Sequence, residues 1–241
     1  MEITKKTVIG ELVAKDYRTA SVFKKNGIDF CCNGNRTIED ACSEKQIAAE
    51  ELLDVLAEVS KKDNSIGTDY NAWPLDLLAD YIEKKHHRYV EEKIQEIKPY
   101  LTKVVKAHSD RHPELLEVDR LFNESAGELT MHMKKEELML FPYIRKMVQS
   151  GQKGEPVKAH FGTVQNPIKM MMQEHDQEGE RFRKISELTY NYLPPADACN
   201  TYRVTLSLLK EFEEDLHMHI HLENNILFPK SIVMEEELQK A

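Results

Sequence analysis

Four histidines stand on apolar helical stripes, and two of them carry a glutamate one turn later: His86, His132 with Glu136, His175, and His219 with Glu223. The spacing His-x-x-x-Glu stacks both side chains on one face of a helix. Six imidazole and carboxylate donors from four amphipathic segments, all turned into one bundle, predict a two-metal site. Buried imidazoles and carboxylates are costly in an apolar core without a compensating cation, and coordination removes that cost. Nitrogen and carboxylate donors without thiolate suit iron or manganese better than structural zinc, which favours closed tetrahedral sites often rich in cysteine. If Glu136 and Glu223 both bridge, and an oxo or hydroxo group also bridges, each octahedral metal keeps about one open position for a small molecule.

The other histidines read as surface residues. His87 and His217 are off the inward phase, and His108, His112 and His160 fall in or near loops. His221 lies on a different face from His219 and Glu223. At the adjacent pair His86/His87, the four-residue steps from Ile82 and to Val90 favour His86. Glu128, one turn before His132, and Glu174, next to His175, are either acceptors for an imidazole N–H or solvated charges. Tyr89, Tyr143 and Met170 to Met172 read as core. A second candidate site is the thiol pair Cys31 and Cys32, in the turn-rich loop IDFCCNGNR. A helix starting near Thr37 would lower a thiol pKa there. Bridging two neighbours strains the ring, so a structural disulfide is not expected.

These side chains need helices to carry them. Residues 1–62 read as a small helical unit: a helix over Val8–Phe23 capped by Thr7 and stopped at Gly27, a Thr37/Asp40 capping box, and a helix over Glu50–Val59. Residues 63–72 are polar and aperiodic and read as a linker. Residues 73–241 hold four long amphipathic patterns, about Pro74 to Ala107, Glu114 to Met147, Val164 to Tyr192, and Cys199 to Phe228. Pro99 is expected to kink or interrupt the first. Short Pro- or Gly-bearing connections between them predict an all-α, up-down four-helix bundle. HMKKEELMLFP, from His132, echoes HIHLENNILFP, from His219, as a duplicated helix unit would.

Composition limits the function classes. With 241 residues, 41% hydrophobic and 31% charged, the chain is globular, and nine Gly and nine Pro favour helix. A net charge of −9 argues against nucleic acid as a partner. No apolar run is long enough to span a membrane, and MEITKKTVIGEL lacks a signal-peptide core, so the expected location is cytoplasmic, with four reduced cysteines.

The segment IDFCCNGNRTIEDAC resembles the paired-cysteine N-terminal domain of the iron–sulfur cluster repair di-iron proteins, the RIC family. HMKKEELMLFP, EHDQEG and HIHLENNILFP resemble that family's hemerythrin-like HHE domain. The resemblance spans essentially the whole chain. It implies a hemerythrin-like bundle holding two non-heme irons, oxo- or hydroxo-bridged, on His86, His132, Glu136, His175, His219 and Glu223. It also implies repair of iron–sulfur clusters damaged by nitric oxide or oxidative stress, through iron donation or nitric oxide reduction, with Cys31 and Cys32 accepting iron, binding nitric oxide or relaying electrons. The expected partners are nitric oxide or oxygen as small ligands and damaged iron–sulfur proteins as clients, acting on a monomer or homodimer. Two other readings are a hemerythrin-like protein that binds or senses oxygen or nitric oxide without catalysis, and an oxygen-activating di-iron enzyme. Glu-x-x-His pairs and more carboxylates would mark the latter, and the His-x-x-x-Glu spacing argues against it.

Overall fold

A computed structural model describes residues 3–61, 68–153, 157 and 159–240. Among these the chain is all-α, with two isolated bridges and no strand. Four short helices come first: α1 (Ile9–Lys15), α2 (Ala20–Lys25), α3 (Ile38–Lys45) and α4 (Ala49–Lys61). The single helix expected over Val8–Phe23 is broken at Asp16. That residue is extended, and its side chain accepts from the Arg18 N–H to start a 3-10 turn instead. Thr7 is not the cap; Val8 holds that position without a side-chain bond. Gly27 ends α2 with a positive φ of 64°, and Thr37 and Asp40 form the expected capping box on α3.

The long rods follow. α5 (Leu75–Tyr81) runs through a π-helical turn, Ile82–His87, into α6 (Arg88–His108). Pro99 lies inside α6 without ending it. α7 (Glu114–Lys135) passes through a π turn, Glu136–Leu140, into α8 (Phe141–Lys153). α9 (Gln165–Leu188) is uninterrupted. α10 (Asn200–Leu222) passes through a third π turn, Glu223–Leu227, into α11 (Phe228–Lys240). The second and third π turns each precede a Phe-Pro pair, Phe141-Pro142 and Phe228-Pro229. A proline lacks its N–H and clashes with the carbonyl four residues back, so the turn before it widens. Within the expected linker, residues 63–67 lie outside the described residues. Tyr70 packs edge-on against Trp73 and shares a hydrogen bond with Tyr81.

The apolar residues form two clusters. One joins the first four helices to the lower parts of the rods, through Phe23, Ile38, Val90, Phe122, Phe182 and Leu216. The other holds Leu78, Ile82, Leu140, Met171, Leu227 and Phe228. Every rod passes from one cluster to the other, and at that level it carries its histidine: His87 between Ile82 and Val90, His175 between Met171 and Phe182. The polar layer is therefore sealed from water at both ends of the bundle.

Candidate metal centre

Each π turn starts or ends on a residue of this layer. His87 ends the first, Glu136 begins the second and Glu223 begins the third. An i→i+5 turn absorbs one extra residue and so shifts helical phase. The first π turn decides between the two adjacent histidines. With the extra residue, His87, not His86, shares the inward face with Ile82 and Val90, and all three are buried. His86 is displaced sideways. Its Nδ1 lies 3.0 Å from Asp215 Oδ1, and its ring stacks on His219 at 5.7 Å. The four-residue periodicity that favoured His86 assumes an unbroken α-helix, and the helix is not unbroken there.

Six side chains converge. His87 Nε2 is 3.4 Å from Glu136 Oε2 and 3.9 Å from Glu223 Oε1. His132 Nε2 is 3.4 Å from Glu136 Oε2 and 3.0 Å from His175 Nε2. His175 Nε2 is 3.1 Å from Glu223 Oε2, and His219 Nε2 is 3.1 Å from Glu223 Oε1. They group as two quartets, His87/Glu136/His219/Glu223 and His132/Glu136/His175/Glu223. Glu136 and Glu223 belong to both, the arrangement in which two carboxylates bridge two cations.

Outer partners fix the rings. His132 Nδ1 meets Glu174 Oε2 at 2.8 Å, and Glu174 is paired with Lys135. His175 Nδ1 meets Asn224 Oδ1 at 2.8 Å, and His87 Nδ1 meets Glu137 Oε1 at 3.1 Å. Each bond holds Nδ1 as donor and leaves Nε2 as the nitrogen aimed inward, as metal-facing histidines require. Of the two glutamates in question, Glu174 takes the acceptor role, whereas Glu128 pairs with Arg181 on the surface.

The electrostatics favour a cation. Burial and mutual repulsion raise the pKa of Glu136, but His132 and His87 outweigh them and hold it below the usual carboxylate range. Burial likewise opposes ionisation of Glu223, and His219, His175 and His87 overcome it. Burial lowers His132, yet Glu136 and Glu174 raise it to about 10. His87 rises to about 9 against its own burial, through Glu136 and Glu223. Burial also outweighs Glu223 at His219, which is lowered. Buried His87 Nε2, both Glu136 oxygens and Glu223 Oε2 have no hydrogen-bond partner. Orphaned polar atoms of this kind are rare and destabilising in a folded core. Two bound cations would satisfy them together, so the donor set fits a dinuclear metal group.

The thiol pair sits directly behind His175. Cys31 is buried and Cys32 half-buried, with the sulfurs 3.7 Å apart. Cys32 Sγ donates to the His175 carbonyl at 3.4 Å, and Asp29 accepts from the backbone N–H of both cysteines. The expected lowering of a thiol pKa by a nearby helix does not hold for Cys31: its bond to Cys32 and its burial push it well up. Of the histidines expected at the surface, His221 and His108 are also buried and His217 is half-buried. His221 is buried against Asn225 and pushed down to about 3 by burial, His217 is lowered by burial, and His108 is buried beside Cys199. Tyr17 and Phe30 of the first unit pack on His221 and Phe30 also on His217, while Tyr202 packs on His108, and no local pattern announces that cover. Asn224 and Glu137 were missed for a related reason, since their partners lie 49 and 50 residues away.

Residues 5–60 match a family described as a domain of unknown function (DUF542), and residues 78–231 match the hemerythrin HHE cation binding domain. The iron–sulfur cluster repair protein ScdA of Staphylococcus haemolyticus is 34% identical over 229 residues, covering 95% of this chain and 99% of that protein. The iron–sulfur cluster repair protein YtfE of Musicola paradisiaca is 34% identical over 93% of this chain and 95% of its own, and that of Escherichia coli is 32% identical over 94% and 97%. The chain belongs to the iron–sulfur cluster repair protein family. The family's HHE match runs through all three π turns and contains all six converging side chains, and its DUF542 match contains both cysteines. No helix among the described residues is long and apolar enough to cross a membrane.

Proposed function

We propose that the chain holds two iron ions on His87, His132, Glu136, His175, His219 and Glu223, and that it restores iron–sulfur clusters damaged by nitric oxide or oxidants by supplying iron to the client. The observation that carries the metal reading is the sharing of Glu136 and Glu223 by both quartets. Iron, when bound, supplies the transferable ion and a redox change that alters how tightly it is held. The chain's own residues do the rest. Glu136 and Glu223 balance the charge of two cations, Glu137, Glu174 and Asn224 orient His87, His132 and His175, and the two apolar clusters exclude bulk water.

Donation is favoured over chemistry confined to the site by the surroundings of His132. It borders an open cavity of about 500 Å³ that Glu124, Glu128, Glu174 and Glu178 also line. Lys135 lines it as well and pairs with Glu174, while Arg120 and Arg181 pair with the other three, so the route offers carboxylate oxygens to a passing ion rather than an unpaired negative field. We further propose a division into residues 1–62 and 73–241 joined by 63–72, and a cytoplasmic site of action. Metal analysis, followed by anaerobic transfer to a client enzyme with a nitric-oxide-damaged cluster, tests the proposal. Two irons per chain and client recovery that consumes the bound iron are expected. Recovery with the iron retained and nitrous oxide released over many cycles would instead establish nitric oxide reduction.

A further inference from the structure

Among the links between the cysteine loop and the metal layer, one side chain touches both the peptide between the cysteines and a ring nitrogen of the site. Asn224 is buried, follows Glu223 in sequence, and carries two bonds. Its Nδ2 donates to the Cys31 backbone carbonyl at 3.2 Å, and its Oδ1 accepts from His175 Nδ1 at 2.8 Å. Because a carbonyl only accepts, the amide orientation is fixed, and with it the His175 tautomer. His175 Nε2 then faces Glu223 Oε2 and His132 Nε2.

The carbonyl that Asn224 holds belongs to the peptide between the two cysteines. Cα atoms across a trans peptide are about 3.8 Å apart, and a disulfide needs about 4.4 to 6.8 Å. Joining Sγ atoms that now stand 3.7 Å apart to covalent distance therefore requires the Cys31–Cys32 peptide to distort. We propose that Asn224 is a positioning residue through which the oxidation state of the Cys31–Cys32 pair sets the hold on metal at His175. It rests on the di-iron reading above. A small organic disulfide is the oxidant. Cys32, the less buried of the two residues, attacks one of its sulfurs through Sγ and expels a thiolate, and Cys31 Sγ then displaces the second. One S–S bond forms as one breaks, and the two cysteine protons leave with the two small thiols. The turned peptide releases Asn224 Nδ2, the amide loses its anchor, and His175 Nδ1–H loses an oriented acceptor. Reduction restores the bond and the grip. Iron release is thereby coupled to an oxidising environment, the condition under which clusters are damaged.

The iron-loaded full-length protein tests this. Reduced and disulfide-treated samples are followed for iron release to a ferrous chelator under anaerobic conditions, with formation of the Cys31–Cys32 bond checked by peptide mass. Oxidised wild type should release iron about 10- to 100-fold faster, the range that outer partners of metal-bound histidines command. The C31S/C32S double variant keeps the backbone carbonyl, so it should release at the reduced wild-type rate in both conditions. N224D keeps an acceptor for His175 but sets a carboxylate against the Cys31 carbonyl; it should hold iron and ignore the oxidant. Equal release from oxidised and reduced wild type, or an N224D protein that still responds, would overturn the coupling. The His175 Nδ1–H resonance, slow to exchange when reduced and lost on oxidation, reads the same coupling without reference to metal. Wild type that binds no iron but shows this change would sink the di-iron reading alone.

Discussion

The two adjacent histidines give the sharpest test of how the helix sets the site. His87→Ala removes one donor from the His87/Glu136/His219/Glu223 quartet and leaves the other quartet whole. A ligand present at a hundred times its dissociation constant adds about 2.7 kcal/mol to folding stability. Two occupied sites then add about 5 kcal/mol. In a chain of this size each kcal/mol moves the melting temperature by about 2–4 °C, so loaded and chelator-treated wild type should differ by about 10–20 °C. In His87→Ala the iron content should fall from two to about one per chain, and that gap should halve. His86→Ala should keep both irons and most of the gap, because His86 is held by Asp215 outside both quartets. Metal analysis and paired calorimetric scans decide the matter. If His86→Ala loses an iron while His87→Ala keeps two, the phase shift at Ile82–His87 is wrong, and the assignment built on it fails.

Three further outcomes are expected. In chelator-treated protein, His132 and His87 are raised to about 10 and about 9, so the folded state holds more protons than the unfolded one between the ordinary histidine range and those values. Their contribution is complete below about pH 6.5 and is lost as pH rises through 9 to 10, so the urea midpoint should fall across that window, and a midpoint that rises would contradict the sign. Gly10→Ala would drive a Cβ into Asn225 Oδ1 and place it 3.1 Å from the Gly34 carbonyl, where the first unit meets the third π turn. It should cost about 1–3 kcal/mol in chemical denaturation, and an unchanged midpoint would show that the contact yields freely. Ser125→Ala removes the hydroxyl that donates to buried Glu178 at 2.5 Å, a carboxyl whose pKa burial already raises. A loss of about 1–3 kcal/mol is expected, and no loss would mean that Arg181 satisfies Glu178 alone.

The all-α class, the four rods and five of the six converging side chains were legible because the information is local. His132 with Glu136 and His219 with Glu223 need only the pitch of one helix to share a face, and Thr37 with Asp40 needs only three residues to close a capping box. His87 was not legible because its phase depends on a widened turn. Two of the three π turns have a sequence mark in the Phe-Pro pairs, but Ile82–His87 has none. The break at Asp16 was missed because the apolar stripe runs on through a 3-10 turn that a single Asp side chain starts.

By itself the sequence determined which residue types are available for metal and which helices carry them, since donor chemistry and the α-helical repeat are properties of neighbours along the chain. The tertiary structure decided which of two adjacent histidines enters the layer, which carboxylates are shared, and that the cysteine loop reaches His175 through Asn224. Those relations join residues far apart in the chain, through packing that no short segment encodes.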